Sequence, residues 1–144
     1  MNDVTHTTVT ATFEITDWDE RPYDEPADGP RLTRATVRKR FSGALEGTSV
    51  AELLTAQGDD GRGYVASERV DGVIDGRGGT FVLQHGGVAG DATSRTFGHV
   101  VPGSGTGELS GLTGEVTYAH DETGARLTLS LGFGPDHGET PASR

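Results

Sequence analysis

The chain has no cysteine, no long apolar run and few basic residues, and each of these absences excludes a class of protein. Without cysteine there are no disulfides and no thiolate chemistry, and the redox compartment stays open. No segment approaches the roughly 20 apolar residues of a membrane-spanning helix. The first residues, MNDVTHTTVT, have neither the basic region nor the apolar run of a secretory signal. We therefore expect a cytoplasmic protein without a membrane partner.

The charge balance argues against nucleic acid as a partner. The formal net charge is −10, and binding to phosphates needs clusters of lysine and arginine. The only basic run is Arg38-Lys39-Arg40, and on a strand its members alternate between the two faces instead of forming one patch. An acidic balance of this kind mainly keeps a protein in solution.

What the chain does have is glycine, in 23 of its 144 positions, with only 32% hydrophobic residues. This composition is typical of one β domain with many turns, and a helical bundle would need more leucine and alanine. We expect a single domain over residues 7–134, preceded by a flexible N-terminus (1–6) and followed by a disordered polar tail (135–144).

Segments of alternating polar and apolar residues, separated by Gly/Asp turns, predict eight strands. The predicted strands cover residues 7–15, 32–42, 48–57, 64–74, 79–88, 92–101, 115–120 and 125–132. Tight turns between consecutive strands describe an up-and-down meander, which removes its exposed edges by closing. The sequence therefore predicts an all-β fold, a closed eight-stranded antiparallel up-and-down barrel.

The segment GSGTGELSGLTGE (103–115) interrupts this meander. Five glycines in thirteen residues argue against a long helix or a regular strand. Its apolar side chains, Leu109 and Leu112, are spaced as one short helical turn would place them. We expect a structured crossover that closes or plugs the barrel.

Residues 17–30, DWDERPYDEPADGP, contain six acidic residues and three prolines and are predicted to be a long loop. Trp18 and Tyr23 in this loop could form a lid over a ligand site, which makes them candidate ligand-binding residues. Alternatively, the two aromatic side chains pin the loop to the barrel rim.

Four segments in order resemble the bacterial domain of unknown function numbered 3224: TATFEITDWDERPYDE, LTRATVRKRFSGALEGTS, SERVDGVIDGRGGTFVLQHGG and VVPGSGTGELSGLTGE. The resemblance covers about residues 8–131. Separately, GTGELSGLTGE is similar to a glycine-rich segment of allene oxide cyclases and dirigent proteins. That second resemblance implies a closed eight-stranded barrel, often oligomeric, with an apolar or mixed cavity for a small molecule. Neither resemblance implies a particular reaction.

Assumed turn lengths place one polar row across five strands. A five-residue loop after the second strand, a three-residue loop at 59–61 and two-residue turns at 76–77 and 90–91 set the pairing. The row is Arg38, Glu52, Glu68, His85 and Thr96. Because a one-residue slip moves every side chain of a strand to the other face, the row depends on each assumed length.

This row has the components of acid–base chemistry. Two adjacent carboxylates would raise the pKa of one of them, while Arg38 would hold the other ionised. His85 beside Glu68 would be fixed in one tautomer as a base or an acid. Glu68, His85 and Glu52 are therefore the candidate catalytic residues, with Arg38 and Thr96 as candidate ligand-binding residues.

Two alternatives remain open. The row could be a salt-bridged surface feature, since exposed charge pairs across strands are common. The opposite face, with Val37, Leu53, Ser67, Gln84 and Phe97, could instead point inward, which makes Gln84 a rival ligand-binding residue. Tyr118 on the seventh strand is a further candidate for lining the cavity.

No motif indicates a metal or cofactor. The five histidines lack the spacing of zinc ligands, and the glycines of 103–114 lack the lysine and following helix of a phosphate-binding loop. Neither Ser104 nor Ser110 stands in a nucleophile elbow.

Three functional hypotheses follow. The first is a barrel that binds a small apolar ligand and could cyclise or isomerise it without a cofactor. The second is a non-enzymatic homo-oligomer with a filled interior. The third is an acid hydrolase or self-processing peptidase that uses the pair Glu52 and Glu68, and it requires both carboxylates inside the barrel and close together.

Overall fold

Buried and exposed side chains alternate along the strands, as expected for a sheet with one face in a core. The computed structural model describes residues 6–122 and 124–134. Its strands are β1 (His6–Asp24), β2 (Arg31–Gly43), β3 (Leu45–Gln57), β4 (Arg62–Ile74), β5 (Arg77–Ala89), β6 (Ser94–Val100), β7 (Leu112–Asp121) and β8 (Gly124–Phe133). A single 3₁₀ turn, Gly107–Leu109, lies between β6 and β7.

Each strand pairs with its neighbours in the chain, and β1 closes the sheet by pairing antiparallel with β8. The predicted closed eight-stranded antiparallel up-and-down barrel is thereby confirmed. No helix in the part of the chain that the structure describes is long and apolar enough to cross a membrane.

The glycine-rich crossover closes one end of the barrel, which we call the lower end. Its 3₁₀ turn places Leu109 in the core, and both Leu109 and Leu112 are fully buried. The segment hydrogen-bonds to β5 through Thr106 N to Thr80 O, at 2.8 Å. Gly79 permits this approach, because a Cβ at that position would overlap the backbone of Thr106. The predicted crossover is confirmed in position, but only Leu109 lies in its helical turn, because Leu112 is the first residue of β7.

Side-chain size divides the barrel interior into two halves. Large apolar side chains fill the lower half, and the largest fully buried ones are Phe81, Leu45, Leu83, Leu109, Leu112, Leu127 and Leu129. Towards the opposite, upper end the inner positions of β5 are occupied by Gly87 and Ala89, which line the cavity described below. These small residues leave space that no side chain occupies.

The prediction of a long loop at residues 17–30 is wrong for most of its length. β1 continues to Asp24 and pairs with β2 as far as Asp24 and Leu32, so only residues 25–30 connect the two strands. The acidic residues and Pro22 are tolerated because register shifts between Ile15 and Asp17 and between Pro22 and Asp24 interrupt the ladder. The proposed lid is therefore part of the barrel wall.

β1 begins at His6, inside the segment expected to be flexible. The rest of that segment (1–5) and the expected disordered tail (135–144) lie outside the described residues.

Replacing Leu109 tests the plug. Leu109→Ala removes a fully buried side chain, and we expect it to lower the free energy of unfolding by about 2–5 kcal/mol. Equilibrium urea unfolding measures the change. Leu54→Ala, at a half-exposed leucine of the outer face, is the matched control and should lower it by less than about 1 kcal/mol. Equal losses in both variants would show that the plug adds nothing to stability.

Candidate functional site

Glu68 lies in the middle of β4 on the inner face. Every second residue of this strand is buried from Ala66 to Ile74, and Glu68 occupies one of these positions between Ala66 and Val70. Its exposed fraction is 0%. A carboxylate without contact to water needs hydrogen-bond donors around it.

Four side chains from four other strands supply these donors. His85 Nε2 lies 2.8 Å from Glu68 Oε1, and Tyr118 OH donates to the same oxygen at 2.9 Å. Lys39 Nζ also donates to Oε1, at 3.2 Å, and Ser49 Oγ donates to Oε2 at 2.6 Å. Glu68 is thus the centre of a cluster that joins β2, β3, β4, β5 and β7.

His85 links this cluster to a second tyrosine. The hydroxyl of Tyr64 lies 2.9 Å from His85 Nδ1, so both ring nitrogens of His85 have a partner. The rings of His85 and Tyr118 also lie 4.7 Å apart between centroids. These contacts hold the imidazole in one orientation.

The side chain of Lys39 is only 8% exposed, and its ammonium group balances the charge of Glu68. Its ammonium lies 4.9 Å from the ring centroid of Phe13 and 4.8 Å from that of Tyr118. Both distances are within the range of cation–π attraction. The pair of opposite charges is therefore enclosed by aromatic rings.

The surroundings change the pKa values of the acidic groups. Burial alone would raise the pKa of Glu68, but the hydrogen bond from His85, the charge of Lys39 and the hydrogen bond from Ser49 lower it to about 2. Burial and the charge of Glu68 raise the pKa of Tyr118 and of Tyr64. The carboxylate is thus ionised at neutral pH, and both phenols keep their protons.

Above this cluster lies an open cavity of about 480 Å³ at the upper end of the barrel. Its floor is formed by Lys39, Tyr64, His85 and Tyr118, and we call these four residues the polar floor. The walls are mostly apolar and include Phe13, Ile15, Trp18, Val37, Leu53 and Val88. Glu68 is beneath the floor and does not line the cavity.

Trp18 is fixed in the cavity wall. Its indole Nε1 donates to Glu20 Oε1 at 2.9 Å, and the other oxygen of Glu20 accepts from Thr33 (2.7 Å) and Gln57 (2.8 Å). These hydrogen bonds lower the pKa of Glu20, and the one from Thr33 has the largest effect. Tyr23, the other proposed lid residue, is exposed and does not line the cavity.

The predicted polar row is divided between the two faces. Glu68 and His85 are brought together inside the barrel, and Thr96 and Tyr118 line the cavity. Arg38 and Glu52 are on the outer face, where Glu52 contacts Arg34 and Thr36. Gln84 is also outside and donates to Ser67.

The reason is the length of one loop. Gln57 pairs with Arg62, so four residues separate β3 from β4 where three were expected. The odd offset moves Glu52 to the face opposite Glu68 and pairs Glu52 with Ser67. The carboxylate pair required by an acid hydrolase or self-processing peptidase is therefore absent, and that hypothesis is wrong.

At the other three connections the observed partner lies an even number of positions from the expected one. The side chains there therefore stay on the expected faces. Arg38 pairs with Val50, Glu68 with Leu83 and Thr96 with Gly87, each two positions from the expected partner. His85 still reaches Glu68 diagonally across the sheet, as long side chains can.

Sequence reasoning missed Lys39, Ser49 and Tyr64. Lys39 follows the inner-facing series Thr33, Ala35 and Val37, and this alternation is the signal that distinguishes it from Arg38. Tyr64 lies four residues before Glu68 on the same face of β4.

No group of three or more histidine, aspartate or glutamate side chains within residues 6–122 and 124–134 could share a metal ion.

The cavity also contradicts the filled interior expected for a purely structural barrel.

Comparison with known proteins gives a family without an assigned activity. The profile of DUF3224, described as a protein of unknown function, matches residues 9–133, and the chain therefore belongs to this family. A crystal structure of a DUF3224 protein of unknown function from Shewanella oneidensis MR-1 is 36% identical. The match covers 92% of this chain and 100% of that one, with a TM-score of 0.80. No curated protein matches the chain. The likeness to allene oxide cyclases and dirigent proteins stays a prediction from one segment.

The lowered pKa of Glu68 predicts loss of stability in acid. A carboxylate whose pKa falls from 4.5 to about 2 on folding stabilises the protein above the unfolded value, and this contribution disappears as the pH falls through 4.5 towards 2. Between pH 7 and about pH 2.5 the wild type should lose about 3 kcal/mol of unfolding free energy that Lys39→Met/Glu68→Gln does not lose. Urea unfolding at both pH values measures this.

The double variant removes both charges, so that no unpaired lysine remains buried. Glu52→Gln, at an exposed glutamate of the outer face, is the control and should keep the wild-type pH dependence. Equal acid losses in the double variant and the wild type would contradict an ionised Glu68.

Proposed function

We propose that this member of the DUF3224 family binds a small, mostly apolar molecule in the upper cavity, with the polar group of that molecule against the polar floor. The observation that carries the proposal is the combination of apolar walls with a floor of four converging polar side chains. Pockets for small molecules commonly have this composition, with a few polar groups that set orientation.

The size of the cavity supports the proposal. At about 480 Å³ it falls within the range of about 300–1,000 Å³ that is usual for ligand sites. The space results in part from Gly87 and Ala89 at inner positions of β5, so larger side chains there would fill it.

The polar floor is held in place before any ligand arrives. Lys39, His85 and Tyr118 are fixed by Glu68, and Tyr64 is fixed by His85. Groups that are already oriented lose little conformational entropy when a ligand binds. Such a cavity also suits cyclisation or isomerisation without a cofactor, because it supplies shape and excludes water from the bound molecule.

A neutral fluorescent probe tests binding. N-phenyl-1-naphthylamine, which emits strongly in apolar surroundings, should bind the wild type with enhanced emission on direct excitation. Leu53→Trp extends an inner wall side chain into the cavity, and we expect at least about a tenfold loss of affinity.

Leu54→Trp, the adjacent residue on the outer face, is the matched control and should bind the probe like the wild type. Thermal unfolding establishes that both variants are folded. Wild-type affinity in both variants, or no binding by the wild type, would contradict the proposal.

A second candidate function is self-association through an outer strip, formed by Leu54, Val65 and Phe97. These residues follow one row across β3 to β6, and the Phe97 ring covers Gly86 in the same row. Each is about half exposed. Arg34 and Glu52 lie at one end of the row, so the surface carries both charges and is complementary to a second copy of itself.

Phe97→Ser should shift the protein from dimer or higher oligomer to monomer, because it removes the largest apolar group of the outer strip. Light scattering after size exclusion measures the mass. Val73→Ser changes an exposed apolar residue elsewhere on the outer face and should leave the mass unchanged. A monomeric wild type would exclude this second function.

A further inference from the structure

We propose that Tyr64, His85 and Glu68 form a proton relay for a ligand with a weakly acidic hydroxyl group, such as a phenol or an enol. This inference rests on the proposed function, because it concerns the polar group of a molecule bound in the same cavity. In it Tyr64 touches the ligand, His85 takes up the proton, and Glu68 is a positioning residue.

The direction of each hydrogen bond follows from the ionised carboxylate. A carboxylate accepts and cannot donate, so His85 Nε2 carries a hydrogen and donates it to Glu68. In the neutral imidazole Nδ1 then has a lone pair, and the Tyr64 hydroxyl donates to it. Glu68 thereby fixes the tautomer of His85, and His85 fixes the direction of the Tyr64 hydroxyl.

The consequence is an acceptor that faces the cavity. Tyr64 lines the cavity, and its only hydroxyl hydrogen goes to His85. Its oxygen is left with lone pairs for a ligand. The complementary ligand group at this position is a donor, which a hydroxyl provides and an ether does not.

A complete proton transfer is possible from the ligand hydroxyl through Tyr64 to His85. The ligand O–H bond breaks and its hydrogen bonds to the Tyr64 oxygen, while the Tyr64 hydrogen moves to His85 Nδ1. The ligand becomes an oxyanion, Tyr64 remains a neutral phenol, and His85 becomes an imidazolium that still donates to Glu68. The reverse steps return the proton.

Charges on both sides of the transfer are compensated. The imidazolium forms next to the Glu68 carboxylate, 2.8 Å from Nε2. The oxyanion forms in the cavity that the Lys39 ammonium also lines. An ammonium has three N–H groups, and one goes to Glu68. Before the transfer the site holds one pair of opposite charges, Lys39 and Glu68. After it, the His85 imidazolium and the ligand oxyanion form a second pair.

The environment of Tyr64 explains why it passes the proton on. Burial and the negative charge of Glu68 raise its pKa, so a tyrosinate is disfavoured. Tyr64 therefore exchanges one hydrogen for another and does not store charge, whereas His85 has the carboxylate that a positive charge requires.

Two probes that differ only at the hydroxyl test the relay. 4-Nitrophenol carries the hydroxyl, and its ionised form is recognised by its absorption; 4-nitroanisole carries a methyl ether instead. At a pH below the pKa of free 4-nitrophenol, the wild type should bind it with the absorption of the phenolate. The ¹⁵N signal of His85 Nδ1 should change to that of a protonated nitrogen.

Tyr64→Phe should abolish both signals and weaken binding of 4-nitrophenol by about tenfold, the loss expected for a hydrogen bond to a charged group. Its affinity for 4-nitroanisole should stay within about twofold of the wild type. Tyr23→Phe, at an exposed tyrosine outside the cavity lining, is the control for this substitution and should behave like the wild type.

The outcomes separate the relay from the proposed function. If both probes bind the wild type but no phenolate forms, or if Tyr64→Phe keeps the phenolate signal, the relay is overturned and the binding cavity stands. If neither probe binds, both inferences fail. Phenolate formation that depends on Tyr64, with unaltered binding of the ether, supports both.

Discussion

An ionised carboxylate without solvent contact is the constraint around which the barrel is arranged. Transfer of a charged carboxylate out of water costs several kcal/mol unless partners replace the lost hydration. Glu68 obtains these partners from β2, β3, β5 and β7, so five of the eight strands must adopt one relative position to satisfy it. A register slip in any of these strands would remove a donor and turn a side chain to the wrong face. The cluster thus specifies the pairing that the tight turns alone leave open.

The same cluster marks the boundary between two different interiors. Below it, leucine and phenylalanine side chains and the plug around Leu109 fill the barrel, as a stable core requires. Above it, small residues leave a cavity whose floor is the upper surface of the cluster. The lower half can supply stability while the upper half stays open, because closure of the barrel gives each of the eight strands a neighbour on both sides.

Much of the fold could be predicted from the sequence, and the site only in part. Eight alternating segments between glycine and aspartate turns determine an all-β meander, and the two leucines of the glycine-rich segment predict the plug, although only Leu109 lies in its helical turn. Pro22 and the acidic residues predict a loop after Ile15, whereas register shifts accommodate them within β1. The face of Glu52 does not follow from the sequence, because the glycines and aspartates between β3 and β4 fit a loop of three residues as well as the observed four, and one residue moves Glu52 to the opposite face.

The position of the β4–β5 turn is indicated by its residues, Asp75-Gly76. Both residues have positive φ, 52° and 78°, which is the geometry of the Asp-Gly hairpin turn. Placing the turn one residue later shifted the expected partner of Glu68 by two positions, an even number, so Glu68 and His85 remained on one face. The contact between them was therefore predicted, while Tyr64 and Lys39 depended on the choice of face.

Stability does not explain why the charges are where they are. Replacement of a buried ion pair by apolar side chains of similar volume is often neutral or stabilising, so the pair Lys39 and Glu68 adds little that leucine and methionine could not supply. Its position is better explained by what it does to the neighbouring groups. In the proposed relay Glu68 sets the tautomer of His85 and thereby the direction of the Tyr64 hydroxyl, and Lys39 places a positive charge at the floor of a mostly apolar cavity. We therefore interpret the buried cluster as the means by which the cavity floor is oriented, as the proposed binding of a ligand requires.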